Sequence, residues 1–191
     1  MAKRKHLFDA ILCIDLESTC WEKRDPPEGQ FSDIIEIGVC YLDIPTQRLY
    51  TPVSWYVKPT SSTVSDFCVA LTKITQEQLD QHGNPFPQTC HALMETYKSK
   101  QRPWVSWGNY DRQQMEKQCL RENVPFPFGD THWNMRDLYT VKNGSSTKLG
   151  LSKALGKEGL AFVGQPHSGR DDAYNVARLF AKLVLGWENV L

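Results

Sequence analysis

No apolar run in this chain approaches the roughly 18 to 20 residues that a membrane span needs. Its basic first residues lead into neither an apolar stretch nor a small-residue cleavage site. We therefore expect a soluble, intracellular, cytoplasmic protein with no membrane partner. Net charge is missing too: 22 lysines and arginines balance 22 acids, and the pI lies near 6.9. No global field draws the molecule to a polyanion, so any such attraction must be local. The runs Lys3, Arg4, Lys5 and Lys98, Lys100, Arg102 are candidates for it, but each reads first as a solvated flank. The six cysteines, at 13, 20, 40, 68, 90 and 119, show no C-x-x-C pair and no zinc-like spacing with histidine, which excludes a structural zinc site. Cys13 and Cys40 lie in strand-like runs and Cys119 on a helical face, the setting of reduced thiols that act as small hydrophobes. Internal repeats and low-complexity linkers are absent as well.

What is present is a hydrophobic share of 40% over 191 residues. That suits one α/β domain, with its core from about residue 8 to 184, and is too little for two. Ile11-Leu12-Cys13-Ile14 run straight into Asp15-Leu16-Glu17. Residues two apart on a strand project from one face, so Asp15 and Glu17 are held side by side. Like charges at that spacing raise one another's pKa or need a cation between them. A divalent-metal site would answer this, and so would a strand that simply ends in water.

The first strand is predicted from about Phe8 to Glu17, followed by a polar loop, Trp21 to Gly29, broken by Pro26 and Pro27. A second strand covers Ile34 to Leu42 and a third Leu49 to Val57. No helical pattern separates the three, which argues for an antiparallel meander. Short helices follow at Ser65 to Ala70 and Thr75 to Gln81, the second with Thr75 as N-cap and Gln78 three residues on. Phe86 to Tyr97 has an amphipathic helical period in Cys90, Leu93, Met94 and Tyr97. Pro103 to Trp107 is a short buried strand, and Asp111 to Glu122 a helix with Met115 and Cys119 one turn apart. A short strand is expected near Trp133 to Leu138 and a helix from about Thr147 to Leu155. The last helix carries one apolar stripe through Ala173, Val176, Ala177, Phe180, Leu183 and Val184. Asp172 sits at its margin, with His167 five residues upstream.

Taken in order, Asp15 and Glu17, then Asp111, then His167 and Asp172 resemble the motifs of the DEDD superfamily of 3'-to-5' exonucleases. The spacing His167-x-x-x-x-Asp172 is similar to that of its DEDDh branch, to which RNase T and the proofreading subunit of DNA polymerase III belong. Asp15 to Cys20, Ser65 to Cys68, Leu71 to Thr75 and His167 to Asn175 resemble the ERI-type group of RNA exonucleases. The resemblance spans Phe8 to Val184. It implies an α/β, RNase H-like fold: a five-stranded mixed sheet flanked by helices, three antiparallel strands followed by two parallel ones.

The resemblance also implies a chemistry. Asp15, Glu17, Asp111 and Asp172 would bind two Mg2+ or Mn2+ ions about 3.5 to 4 Å apart, which serve both sides of an in-line phosphodiester cleavage. Hard cations prefer such oxygen ligands. Glu17 would also lie beside the terminal nucleotide, and His167 would be the general base, its ordinary pKa near 6.5 suiting proton exchange at neutral pH. Ser18, Leu71 and Trp107 would complete the substrate contacts. Leu71 equally fits a core, and Trp107 equally fits burial at a strand end or stacking on a base. Asp171 is the neighbour that Asp172 must be told from; the five-residue step from His167 favours Asp172, leaving Asp171 as a helix-start acid. The expected activity is metal-dependent release of 5'-nucleoside monophosphates from RNA 3' ends. Alternatives are a DNA-directed 3'-to-5' exonuclease and a non-catalytic RNA-binding protein of the same fold. All five catalytic positions hold competent residues, which speaks against the last.

Overall fold

Strand β1 (Ala10–Ser18) is the axis of the computed structural model, which describes residues 7–23 and 25–188. Its alternation splits the core in two. Ile11 and Cys13 face one cluster and Leu12, Ile14 and Leu16 the other. Strand β2 (Ile34–Asp43) pairs antiparallel with β1, while β5 (Trp104–Ser106) runs parallel to β1 and β6 (His132–Asn134) parallel to β5. The outer edge is β3 (Arg48–Leu49) and β4 (Val53–Tyr56), both antiparallel to β2. The sheet order is β3-β2-β1-β5-β6, with β4 on β2.

This is the expected mixed α/β sheet, with six strands in place of five. The third strand, expected unbroken from Leu49 to Val57, is interrupted. Leu49 pairs with Leu42 and Val53 with Val39, so the outer strand carries an extra residue there. Pro52 falls in that bulge, where it has no ladder N–H to offer.

Helices cover both faces. On one lie α3 (Phe86–Tyr97) and α4 (Tyr110–Glu122), burying Phe86, Cys90, Leu93, Met115 and Cys119. On the other lie α5 (Met135–Lys142), α6 (Leu151–Lys157) and α7 (Gly169–Leu183). Helix α7 buries Ala173, Val176, Ala177 and Phe180 as its period requires, but Val184 lies past the helix end and is 47% exposed. Short helices α1 (Asp66–Thr72) and α2 (Gln76–His82) are capped by Ser65 and Thr75, whose hydroxyls accept the Cys68 and Gln78 N–H groups. None of the described helices is long and apolar enough to cross a membrane.

Two expected elements are displaced. The strand expected near Trp133 to Leu138 ends at Asn134, whose side chain accepts the Asp137 N–H and starts α5 instead. The helix expected from Thr147 begins only at Leu151, because the Thr147 N–H bonds the Ser145 hydroxyl in a local turn. Of the basic runs, Lys3, Arg4 and Lys5 lie outside the described residues. Arg102 is engaged by Asp9 at 2.8 Å, at the end of β1 opposite the carboxylates.

Candidate active site

The carboxyl end of β1 opens into a cavity of about 660 Å³, and every residue singled out from the sequence lines it: Asp15, Glu17, Ser18, Leu71, Trp107, Asp111, His167 and Asp172. Four separate parts of the chain supply them. Crevices outside the carboxyl ends of parallel strands are the usual ligand sites of such sheets.

Each carboxylate is placed by a local cause. Asp15 and Glu17 share a face of β1. Asp111, in the first turn of α4 and 4% exposed, accepts the Leu16 N–H at 3.0 Å, which ties α4 to the residue between them. Asp172, in the first turn of α7, accepts the His167 N–H at 2.7 Å. His167 itself is exposed and left-handed, with φ 64°. Asp171 turns elsewhere, accepting the Gln165 N–H at 2.9 Å and pairing with Arg170. The cavity therefore takes Asp172 and not Asp171.

Crowding shows in the acidities. Burial, then the charges of Asp111, Asp172, Glu17 and Glu36, push Asp15 well above the carboxylate range. Burial, then Asp172, Glu36 and Asp111, raise Glu17 to about 9. Asp111 and Asp172 rise to about 6, burial being the main cause in both. Such a set cannot be fully ionised at neutral pH without positive charge among it. Among the described residues, Glu17, His167 and Asp172 offer ligand atoms that lie within 4.8 Å of one another, a group able to hold a metal ion.

The remaining walls answer open questions. Leu71 is half-buried, belongs to no core cluster and faces the cavity. Trp107 does two things at once: it packs on the core, 6.1 Å from the Tyr139 ring, and borders the cavity. The Ser18 hydroxyl is buried beside Tyr110.

Sequence reasoning missed four residues. Glu36 on β2 stands opposite Glu17 in the strand register, is 2% exposed and caps the start of α7. Tyr110, Lys153 and Cys20 line the cavity. Tyr110, beside Asp111, and Cys20, at the end of the motif run from Asp15, had a sequence cue.

With this geometry in hand, the comparisons with known proteins agree. A family model described as "Exonuclease" (RNase_T) matches residues 12–180. The chain is 33% identical over 190 residues to 3'-5' exoribonuclease 1 of Homo sapiens, covering 93% of this chain and 53% of that one. It thus spans about half the length of that relative. It is likewise 33% identical over 180 residues to the probable 3'-5' exonuclease KapD of Bacillus subtilis, covering 92% and 84% of the two chains. Among solved structures, the nuclease domain of 3'hExo, a DEDDh family member bound to rAMP, superposes with a TM-score of 0.83 at 30% identity, covering 95% and 94% of the two chains. The sheet, the carboxylate cluster and these matches place the chain in the exonuclease family of the DEDDh type.

Proposed function

We propose that this chain is a metal-dependent 3'-to-5' exoribonuclease that releases 5'-nucleoside monophosphates from RNA 3' ends. The observation that carries the reading is the gathering of Asp15, Glu17, Asp111, His167 and Asp172 around one cavity, with all four carboxyls raised. An exoribonuclease relative and a DEDDh neighbour bound to a ribonucleotide support RNA as the substrate.

The donor set fits hard divalent cations, and we assign Mg2+ or Mn2+, two per site, to Asp15, Glu17, Asp111 and Asp172. When bound, such ions relieve charge on the scissile phosphate and make water acidic enough to lose a proton near neutrality. The chain's own groups do the rest. His167 takes the proton of the attacking water, and its place on an exposed turn leaves the imidazole open to the phosphate. Glu17 and Ser18 lie beside the terminal sugar, and Leu71 and Trp107 flank the terminal base. The 3'-terminal unit leaves as a monophosphate. Six free cysteines, none in a disulfide among the described residues, support a reducing intracellular, cytoplasmic setting.

The test is a ladder assay on 5'-labelled RNA and a matched DNA oligonucleotide, with Mg2+, Mn2+ or chelator. We expect stepwise shortening of RNA that needs the ion and is lost in Asp15→Ala. Faster shortening of DNA would reassign the substrate; binding without shortening would make the chain a non-catalytic binder.

A further inference from the structure

The six cysteines fall into three neighbouring pairs. Cys13 and Cys40 face each other across β1 and β2, and Cys90 meets Cys119 between α3 and α4. All four of these thiols are buried. The third pair differs. Cys20 follows β1 in the chain, is half-buried and borders the cavity, while Cys68 on α1 lies directly behind it. One hydroxyl holds both backbones: Ser65 Oγ donates to the Cys20 carbonyl at 2.6 Å and accepts the Cys68 N–H at 3.1 Å. Both side chains pack in one small cluster with Ile35, Ile74 and Leu79. A disulfide needs Cα atoms about 4.4 to 6.8 Å apart, and this shared anchor holds the two backbones at close range.

We propose that Cys20 and Cys68 form a reversible disulfide on exposure to peroxide, an oxidation site in the cavity wall that lowers nuclease activity. The bond itself requires nothing of the exonuclease reading; only its effect on activity rests on that reading. Peroxide enters by the cavity and meets Cys20. The Cys20 sulfur takes one peroxide oxygen, becoming a sulfenic acid as the O–O bond breaks. Cys68 sulfur then attacks Cys20 sulfur, the S–O bond breaks, and the S–S bond forms. Overall, two thiols and one hydrogen peroxide give one disulfide and two waters.

The bond acts on the site through two neighbours. Cys68 Sγ donates to the Ser18 carbonyl at 3.6 Å, and oxidation removes that donor. An S–S length of about 2.0 Å also draws Cys20 towards α1. Ser18 adjoins Glu17, and α1 carries Leu71, so both walls of the cavity shift. Displacement on the ångström scale costs catalysis as much as roughly a hundredfold.

The experiment titrates the reduced protein with hydrogen peroxide, maps peptides without reduction, and follows release of mononucleotide from labelled RNA. We expect a Cys20–Cys68 linked peptide, an activity loss of roughly tenfold or more and recovery with dithiothreitol. Cys68→Ser should keep its activity and resist peroxide; if that variant does not fold, Cys20→Ser replaces it for the mapping and the resistance. Linked peptides at 13–40 or 90–119 alone, or sulfinic acid at Cys20 without the bond, would overturn the site. A 20–68 bond that leaves activity unchanged would overturn its role. A reduced protein with no activity would defeat the exonuclease reading, and the mapping would still decide the disulfide.

Discussion

The Glu36 carboxylate on β2 accepts the Gly169 N–H at 2.9 Å and the Arg170 N–H at 3.2 Å, so a buried anion closes the first turn of the helix that carries Asp172. Helix N-termini favour negative charge and leave such N–H groups in need of partners. The fit is close: a Cβ on Gly38 would collide with the Gly169 carbonyl. His167 and Asp172 therefore reach the cavity because Glu36 and Gly38 fix where α7 begins.

Glu36→Ala should strand two N–H groups and destabilise the protein by about 1–3 kcal/mol, with Glu36→Gln falling between it and the parent. Both should weaken Mn2+ binding through Asp172. Urea unfolding and a Mn2+ titration check this; unchanged values in Glu36→Ala would show that packing alone seats α7.

His167 is exposed and meets Asp172 through its backbone N–H, a bond that substitution of the ring does not remove. His167→Ala should therefore keep the melting temperature and lose activity by about 10²–10⁴-fold, the range for a general base. Asp172→Asn should lose activity and cation affinity together. Asp171→Asn, which retains an oxygen for the Gln165 N–H, should do neither. Single-turnover rates on labelled RNA separate the three.

The raised carboxyls also set how stability follows pH in chelator. Asp111 and Asp172 near 6 and Glu17 near 9 bind protons more tightly in the fold than in the unfolded chain, whose carboxyls titrate at about 4. Their contribution is full below that value and is lost as pH rises through about 6, then about 9. The ion-free melting temperature should fall from weakly acidic to weakly alkaline pH, and added Mg2+ or Mn2+ should raise it more at the alkaline end, where fewer protons compete. A melting temperature that climbs with pH in chelator would contradict the crowding.

Much of this was legible because local rules carry it. The i, i+2 step fixed Asp15 and Glu17 on one face, and the spacing from His167 separated Asp172 from Asp171. Glu36 was not legible, because its meeting with Glu17 depends on strand register and its role on a helix start more than a hundred residues away. Buried acids are also ambiguous from sequence. Asp33 is fully buried, yet it is satisfied by the Thr60 and Ser61 N–H groups and by Arg121, whereas Asp15 faces other carboxylates. The displaced elements have sequence causes of their own: Pro52 breaks the third strand, and Asn134 caps a helix where aromatic and apolar neighbours suggested a strand.

Among the described residues, Lys153 on α6 is the only lysine or arginine in the cavity lining, in a chain whose 22 basic and 22 acidic residues cancel. With no global field, attraction for a polyanion depends on such single cations and on bound ions. Lys153→Ala should raise KM several-fold and leave kcat unchanged, because the side chain is exposed and touches none of the carboxylates by hydrogen bond or ion pair. Each phosphate contact on a single strand contributes about 0.7 to the slope of log affinity against log salt. The variant's slope should therefore be shallower by about that amount, measured as RNA binding at several salt concentrations in Ca2+. An unchanged slope with a lowered kcat would instead place Lys153 at the reacting phosphate.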